Sequence, residues 1–478
     1  MPFVTGPLPQ RLKLIHGFGA VAFGVKDSGF SFFLLIFYNQ ALGMDAGTVS
    51  LALALALLID AFVDPLLGNL SDRTWSRWGR RLPWLYAAPI PLAFAWVFLW
   101  HPPGGGTPSF WELLAIAVSV RILLSACEVP SVSLLPEITA DYDERTTLFR
   151  YRYLFGWCGG LLMMFLAYFV LMPGPEGLLQ PEGYFWFGLV GAILMVISVL
   201  GSALGQHSLV AGYPETKAPP FTWRSAFGEI VDAFSEKAFL IFAAGALAAY
   251  ISQGLTFSLT NYINVFVWRF DTTELRIFPI ILFLSVILMF FIVGPMHRRW
   301  GKPKSAVIGA LGSLSVILTP FTLYLTGYWP TVGSTASAAL FYCFLLISNT
   351  LGVVVMISGS SMIAEIVEAY QERTGRRAEG SFYSGNWFVQ KCATGGGILV
   401  GGQVIALSNL PAGAAPEAVS QDVITQMILL YCGAITVLGC IAAYWLGRFP
   451  IDRAQHEARV AALDATARAD VDAAVTPP

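Results

Sequence analysis

Apolar residues in this chain do not alternate with polar ones. They come in stretches of about 20 residues or more, divided by short clusters of Pro, Gly and charge. A helix of that length crosses a hydrocarbon layer roughly 30 Å thick. Bounding each stretch by its breakers gives runs near 14–40, 47–70, 83–100, 110–136, 148–172 and 184–206, then 238–268, 275–296, 305–327, 335–368, 380–407 and 422–447. The expected fold class is an all-α membrane protein with twelve transmembrane helices in two six-helix halves. The halves would be 1–206 and 238–447, joined by a polar cytoplasmic loop at 207–237 and followed by a polar, Ala-rich tail at 448–478.

Composition agrees: 56% of the 478 residues are hydrophobic and 12% charged, whereas soluble domains carry about 25% charged residues. Met1 to Gln10 lacks a basic region with a small-residue cleavage site, so the first run is expected to stay in place. The six cysteines all fall inside apolar runs, where they act as small hydrophobes rather than as a disulfide or metal framework. A net charge of -2 gives no reason to expect a nucleic acid partner. Lys and Arg gather in alternate loops (Arg73 to Arg81, Arg145 to Arg152, Lys217 to Lys237, Arg298 to Lys304, Arg373 to Arg377) and at both ends of the chain, while the other side holds only Arg269 and Arg276. That asymmetry predicts cytoplasmic termini, in a multi-pass protein of the plasma (inner) membrane.

The halves repeat one another. Arg77-Trp78-Gly79-Arg80 after the second run returns as Arg299-Trp300-Gly301-Lys302 after the eighth. Glu137-Ile138, Tyr142 and Glu144-Arg145-Thr146 return, at a constant offset, as Glu365-Ile366, Tyr370 and Glu372-Arg373-Thr374. Parallel six-helix repeats are what the major facilitator fold contains, with a solute held between the halves near mid-membrane. The repeated motifs set Asp72, Glu137 and Glu365 beside Arg77, Arg145 and Arg373 at helix ends. Such pairs suit a gate that breaks as the halves rock; the plainer account is that the arginines fix orientation and touch anionic lipid headgroups.

Seven ionisable residues fall at membrane depth: Lys26 and Asp27 in the first run, Asp60 and Asp64 in the second, Arg121 and Glu128 in the fourth, Lys391 in the eleventh. Each costs at least about 2.5–3.5 kcal/mol there, so they must pair with one another or line a wet cavity. Asp60 and Asp64 at i, i+4 share a helix face, as do Arg121 and Glu128 at i, i+7. Paired carboxylates supply oxygens for a small cation or a group that carries a proton, with Lys391 as counter-charge. Ser125, Gln253, Asn261, Asn349, Asn386 and Gln390 could bind a hydroxylated ligand, although for any single one a bond between helices is the simpler role. His16 reads as a solvated helix-end histidine. No histidines pair at metal-ligand spacing and no G-x-x-x-x-G-K-[ST] stretch occurs, so neither an enzyme nor direct ATP coupling is expected, and no cofactor.

Asp60-Ala61-Phe62-Val63-Asp64-Pro65, Gly68 and the loop Asp72-Arg73-Thr74-Trp75-Ser76-Arg77-Trp78-Gly79-Arg80-Arg81-Leu82-Pro83 resemble the glycoside-pentoside-hexuronide:cation symporter family, as do Gly19 to Asp27, Glu128-Val129-Pro130, Thr374 to Gly380 and Gln390-Lys391. The resemblance implies symport of an organic solute, typically a sugar, with H⁺, Na⁺ or Li⁺. By resemblance Asp27 matches the acid that binds sugar hydroxyls, Asp60 and Asp64 the cation carboxylates, and Lys391 the lysine beside them. The chain departs from melibiose-type members at Glu128 (aspartate there), Val132 (tryptophan), Met356 (an aromatic), Val63 (asparagine) and Arg152, which falls one position before the expected arginine, where Tyr153 stands. Arg121 would then supply positive charge. The resulting solute set is Lys26, Asp27, Arg121, Glu128, Arg152 and Asn386; the cation set is Asp60, Asp64, Ser125, Glu128 and Lys391.

Fewer stacking rings and added positive charge point to an acidic glycoside such as a hexuronate. Loss of the neutral oxygen at Val63 favours H⁺ as the coupling ion, with Na⁺ at Asp60 and Asp64 the alternative. The expected partners are therefore a small organic solute, a cation and membrane lipid, with the carrier working as a monomer. A symporter of lysolipid or another amphipathic solute on the same fold is the first rival, and a uniporter or channel the next.

Overall fold

The computed structural model describes residues 7–104, 106–139, 141–212, 222–375 and 378–451. Most of the expected tail, the Lys217 end of the middle loop and Arg376 with Arg377 lie outside them. Every regular element among the described residues is helical. In chain order these are α1 (Gln10–Ala41), α2 (Ala46–Arg73), α3 (Leu82–Ala87, running on as Pro89–Trp100), α4 (Phe110–Ile138), α5 (Asp143–Leu171) and α6 (Glu182–Val210). There follow α7 (Trp223–Phe234), α8 (Lys237–Val267), α9 (Thr272–Leu325), α10 (Thr335–Thr374), α11 (Glu379–Leu407) and α12 (Gln421–Leu446). Each of the twelve expected runs falls on helix, and nine described helices are long and apolar enough to cross a membrane.

Local chemistry starts and bends these helices. Asp45 caps α2 by accepting from the Thr48 amide at 2.8 Å, and Ser109 with Glu112 forms a reciprocal capping box at the start of α4. Pro65 and Pro130 lie inside α2 and α4, just after Asp64 and Glu128, and remove a helical hydrogen bond beside each acid. In α1 a wide π turn at Gly29–Phe33 follows directly on Lys26 and Asp27. The 54-residue α9 joins two of the expected runs; Gly301, at φ 75°, breaks it between them. Gly79 in the matching turn of the first half has φ 91°, a conformation that favours glycine. In both turns the arginine lies over the tryptophan at 5.2 Å, Arg77 over Trp78 and Arg299 over Trp300, so the repeat read in sequence is a repeat of structure.

The first half packs α1 against α5 and α6, α6 against α3, and α4 against α2; in the second, α8 packs against α11 and α12, and α9 against α10. Large apolar side chains such as Phe94, Trp111, Phe290 and Phe291 point outward, as a lipid-facing surface requires. The halves meet chiefly along α2 and α11. Gly402 and Gly395 allow this: a Cβ at Gly402 would stand 2.6 Å from the Ala46 carbonyl oxygen, and one at Gly395 3.1 Å from that of Ala54.

These contacts close the end of the molecule away from the basic loops. There Asn261 donates to the Phe32 carbonyl at 2.7 Å and accepts from Tyr168 at 2.7 Å. Tyr262 donates to Asn39 at 3.0 Å, and Gln40 donates to the Pro411 carbonyl at 3.1 Å while accepting from the Ala414 amide at 3.0 Å. At the basic end, Arg81 pairs with Asp72 and Glu137, Lys13 with Glu144 and Lys302 with Glu365, each within one half, while Arg373 pairs with Glu236 at the end of the middle loop.

Candidate functional site

Seven ionisable residues from α1, α2, α4 and α11 assemble into two linked groups. In the first, Lys26 Nζ lies 2.8 Å from Asp27 Oδ1 and 3.7 Å from Glu128 Oε2. Lys26 is buried, whereas the Asp27 side chain is 70% exposed. In the second, Lys391 of α11 reaches across to α2. Its ammonium lies 2.8 Å from Asp60 Oδ2 and hydrogen-bonds Asp64 Oδ2. Ser125 of α4 donates to Asp60 Oδ1 at 2.7 Å, and Arg121 Nε stands 3.7 Å from Asp60 Oδ2. Asp60 is 1% exposed. A buried acid of this kind persists only with several donors around it, and the i, i+4 spacing on α2 lets one lysine serve both carboxylates.

Other residues sit differently from the sequence expectation. Arg121, assigned there to the solute, is 5% exposed, with its guanidinium 4.6 Å over the Phe30 ring and its charge toward Asp60. Arg152 is buried against Ser131, to which it donates at 2.6 Å, and lies over Phe23. Its neighbour Tyr153 is 63% exposed and within electrostatic reach of Glu128 and of Tyr250 on α8. Asn386 accepts from Tyr250 at 3.4 Å. The exposed, open face of this region therefore carries Asp27, Glu128 and Tyr153, with Tyr250 and the buried Asn386 on the second half. Tyr250 was not legible as a site residue, because aromatic residues are common throughout such helices, and the one signal for Tyr153 was that it stands where the resemblance expects an arginine.

Glu128 bonds toward Lys26 and not toward the α2 carboxylates. His16 is fully buried and shares a 3.0 Å hydrogen bond with Gln206, which corrects the expectation of a solvated histidine; the first run begins earlier than its apolar stretch suggests, so residue 16 lies inside the bundle. Asn349 donates to Ser285, Asn261 holds the closed end, and Gln253 faces Met356 at 3.1 Å, all three joining helices.

At the basic end Glu137 and Asp72 are tied by Arg81, a residue the sequence reading counted only for topology. Arg77 packs on Trp78 and Arg145 donates to the Thr139 carbonyl at 2.8 Å. Glu365, the repeat mate of Glu137, is bound by Lys302 at 2.8 Å, and Arg373 pairs with Glu236. The acids recur in both halves with a base on each, as the repeat leads one to expect, but the bases include Arg81 and Lys302.

Among the described residues no group of three or more His, Cys, Asp or Glu is placed to hold a metal ion.

An all-helical, repeated bundle with a charged centre defines a membrane carrier, and the comparisons agree. The chain belongs to the MFS/sugar transport protein family, whose model matches residues 15–453. The inner membrane symporter YicJ of Escherichia coli (strain K12) is 24% identical over 419 residues, covering 82% of each chain. The raffinose carrier protein of Pediococcus pentosaceus is 24% identical over 85% of this chain and 64% of its own, and the sphingosine-1-phosphate transporter MFSD2B of Mus musculus 24% over 89% and 86%. A crystal structure of a D-xylose-proton symporter superposes with a TM-score of 0.63 at 14% identity, covering 92% of this chain and 98% of that one. The chain is thus a multi-pass membrane protein of the major facilitator fold, in a family of transporters.

Proposed function

We propose that the protein is a proton-coupled symporter of a sugar or glycoside-like solute, working by alternating access. The observation that carries this reading is the bridge from Lys391 to Asp60 and Asp64: two acids one turn apart share one movable ammonium between the halves. A proton taken by Asp64 weakens that bridge. Cation binding and the contact between α2 and α11 are thereby linked. Asp27, Glu128, Tyr153 and Asn386 offer hydrogen-bonding groups to a hydroxylated solute beside it. The sugar class is supported by the family and by relatives such as the raffinose carrier. On this reading the basic end and both termini are cytoplasmic in the plasma (inner) membrane, the open end faces inward, and a monomer suffices.

The test is uptake by reconstituted liposomes of labelled glycosides, uronates and lysolipids under imposed proton or Na⁺ gradients, comparing wild type with Asp64→Asn. Proton-driven accumulation of a uronate or glycoside, lost in Asp64→Asn, is the expected result. Accumulation of the lysolipid alone would favour the solute class of MFSD2B. Transport indifferent to both gradients and to the substitution would refute coupling through α2.

A further inference from the structure

Arg121 stands on α4 four residues before Ser125, so both side chains approach Asp60 from one helix face. Every oxygen of Asp60 is occupied: Oδ1 accepts from Ser125 at 2.7 Å, and Oδ2 faces Lys391 at 2.8 Å and Arg121 at 3.7 Å. Asp64 hydrogen-bonds Lys391 and has Ser125 within electrostatic reach, and its Oδ1 is buried without a hydrogen-bond partner among the described residues. The two bases differ in kind. Lys391 is a point charge on a flexible stem that can swing aside, whereas the Arg121 guanidinium is permanently charged and held over Phe30.

A metal cation shared by the two acids would need oxygens from both, and would sit against that fixed guanidinium. A proton needs one oxygen, and Asp64 Oδ1 offers it. We propose that Arg121 determines cation selectivity: it stands in for a bound metal cation at Asp60, leaves Asp64 to take a proton, and excludes Na⁺ and Li⁺. This rests on the symport reading given above.

The experiment compares wild type, Arg121→Gln, Arg121→Met and Arg121→Lys in proteoliposomes with a solute the wild type accumulates. Counterflow without any ion gradient identifies the variants that are folded and bind solute, and the volume-conserving Met variant serves if Gln does not fold. A Na⁺ or Li⁺ gradient at equal pH is expected to raise uptake by Arg121→Gln about tenfold, and to leave wild type and Arg121→Lys unchanged. A neutral variant with intact counterflow that ignores Na⁺ and Li⁺ would overturn the proposal, and so would a wild type already driven by Na⁺. Wild-type uptake indifferent to all gradients refutes the symport reading and this proposal together; proton-driven wild type with a Na⁺-indifferent neutral variant refutes this proposal alone.

Discussion

Gly402 on α11 offers a direct handle on the balance between the two access states. A methyl group there would lie 2.0 Å from Ser50 Oγ, 2.2 Å from Ser50 Cβ and 2.6 Å from the Ala46 carbonyl oxygen. Rotating the serine relieves only the first contact, since the other two atoms are fixed by the backbone of α2. In Gly402→Ala the helices must therefore part, and overpacking of this kind costs about 1–3 kcal/mol. The contact joins the two halves at the closed end, so the cost falls on the state sealed there and not on a state open there. The open-to-sealed ratio should rise by a factor of about 5–150. Pulsed dipolar spectroscopy with spin labels at Gly106 and Ala412, one exposed loop position on each half, reads this as growth of a longer-distance population, in a background with the native cysteines replaced. Gly397→Ala is the control for simple destabilisation. Its Cβ would meet the Ile251 carbonyl oxygen at 2.4 Å inside the second half, so thermal stability falls without a population shift. An unchanged distance distribution in Gly402→Ala would refute the assignment of this contact to one state.

Lys391→Met leaves Asp60 with Ser125 and Arg121 but strips Asp64 of its ammonium at membrane depth, and should lower stability by about 3–5 kcal/mol; adding Asp64→Asn should restore part of it in a detergent thermal-melt assay, and a double variant no more stable than the single one would show that the pair is not coupled. Ser109→Ala removes one arm of the capping box on α4 and should cost about 1 kcal/mol by the same assay, with no loss if the cap is made by solvent instead. Tyr153→Ala should raise the solute KM roughly tenfold, equivalent to about 1.4 kcal/mol, while kcat stays near wild type; an unchanged KM would remove Tyr153 from the open face's binding surface.

The helices were legible because apolar length is a one-dimensional property, and the halves because Arg-Trp-Gly and Glu-Ile recur on the page. The site acids were legible for a related reason: Asp60, Asp64 and Lys391 are expensive where they stand, and only mutual pairing offsets that. Direction around the helix axis was not legible. Arg121 was legible at membrane depth and Arg152 as the end of a basic loop, yet the sequence could not tell that one turns to Asp60 and the other to Ser131 and Phe23. The same limit hid Tyr153, next to Arg152 and turned outward. Arg81 was missed because topology already accounted for it, and His16 was misread because its burial depends on α6, distant in sequence, which supplies Gln206.

Charge balance gives a reason for cation and solute to travel together. Lys26, Arg121, Arg152 and Lys391 face Asp27, Asp60, Asp64 and Glu128, so the empty site is neutral as it stands. A proton on Asp64 alone leaves one uncompensated positive charge at membrane depth, and an anionic solute alone leaves one negative charge. An uncompensated charge there costs at least about 2.5–3.5 kcal/mol, so each singly loaded form is disfavoured roughly 60- to 300-fold during closure. The empty and doubly loaded forms escape that cost and can cross. On this argument coupling follows from electrostatics at the centre of the bundle, and a neutral glycoside should be transported with a looser proton stoichiometry than its uronate counterpart, which parallel proton and solute flux measurements would detect; equal stoichiometry for both would show that closure is gated by contacts rather than by net charge.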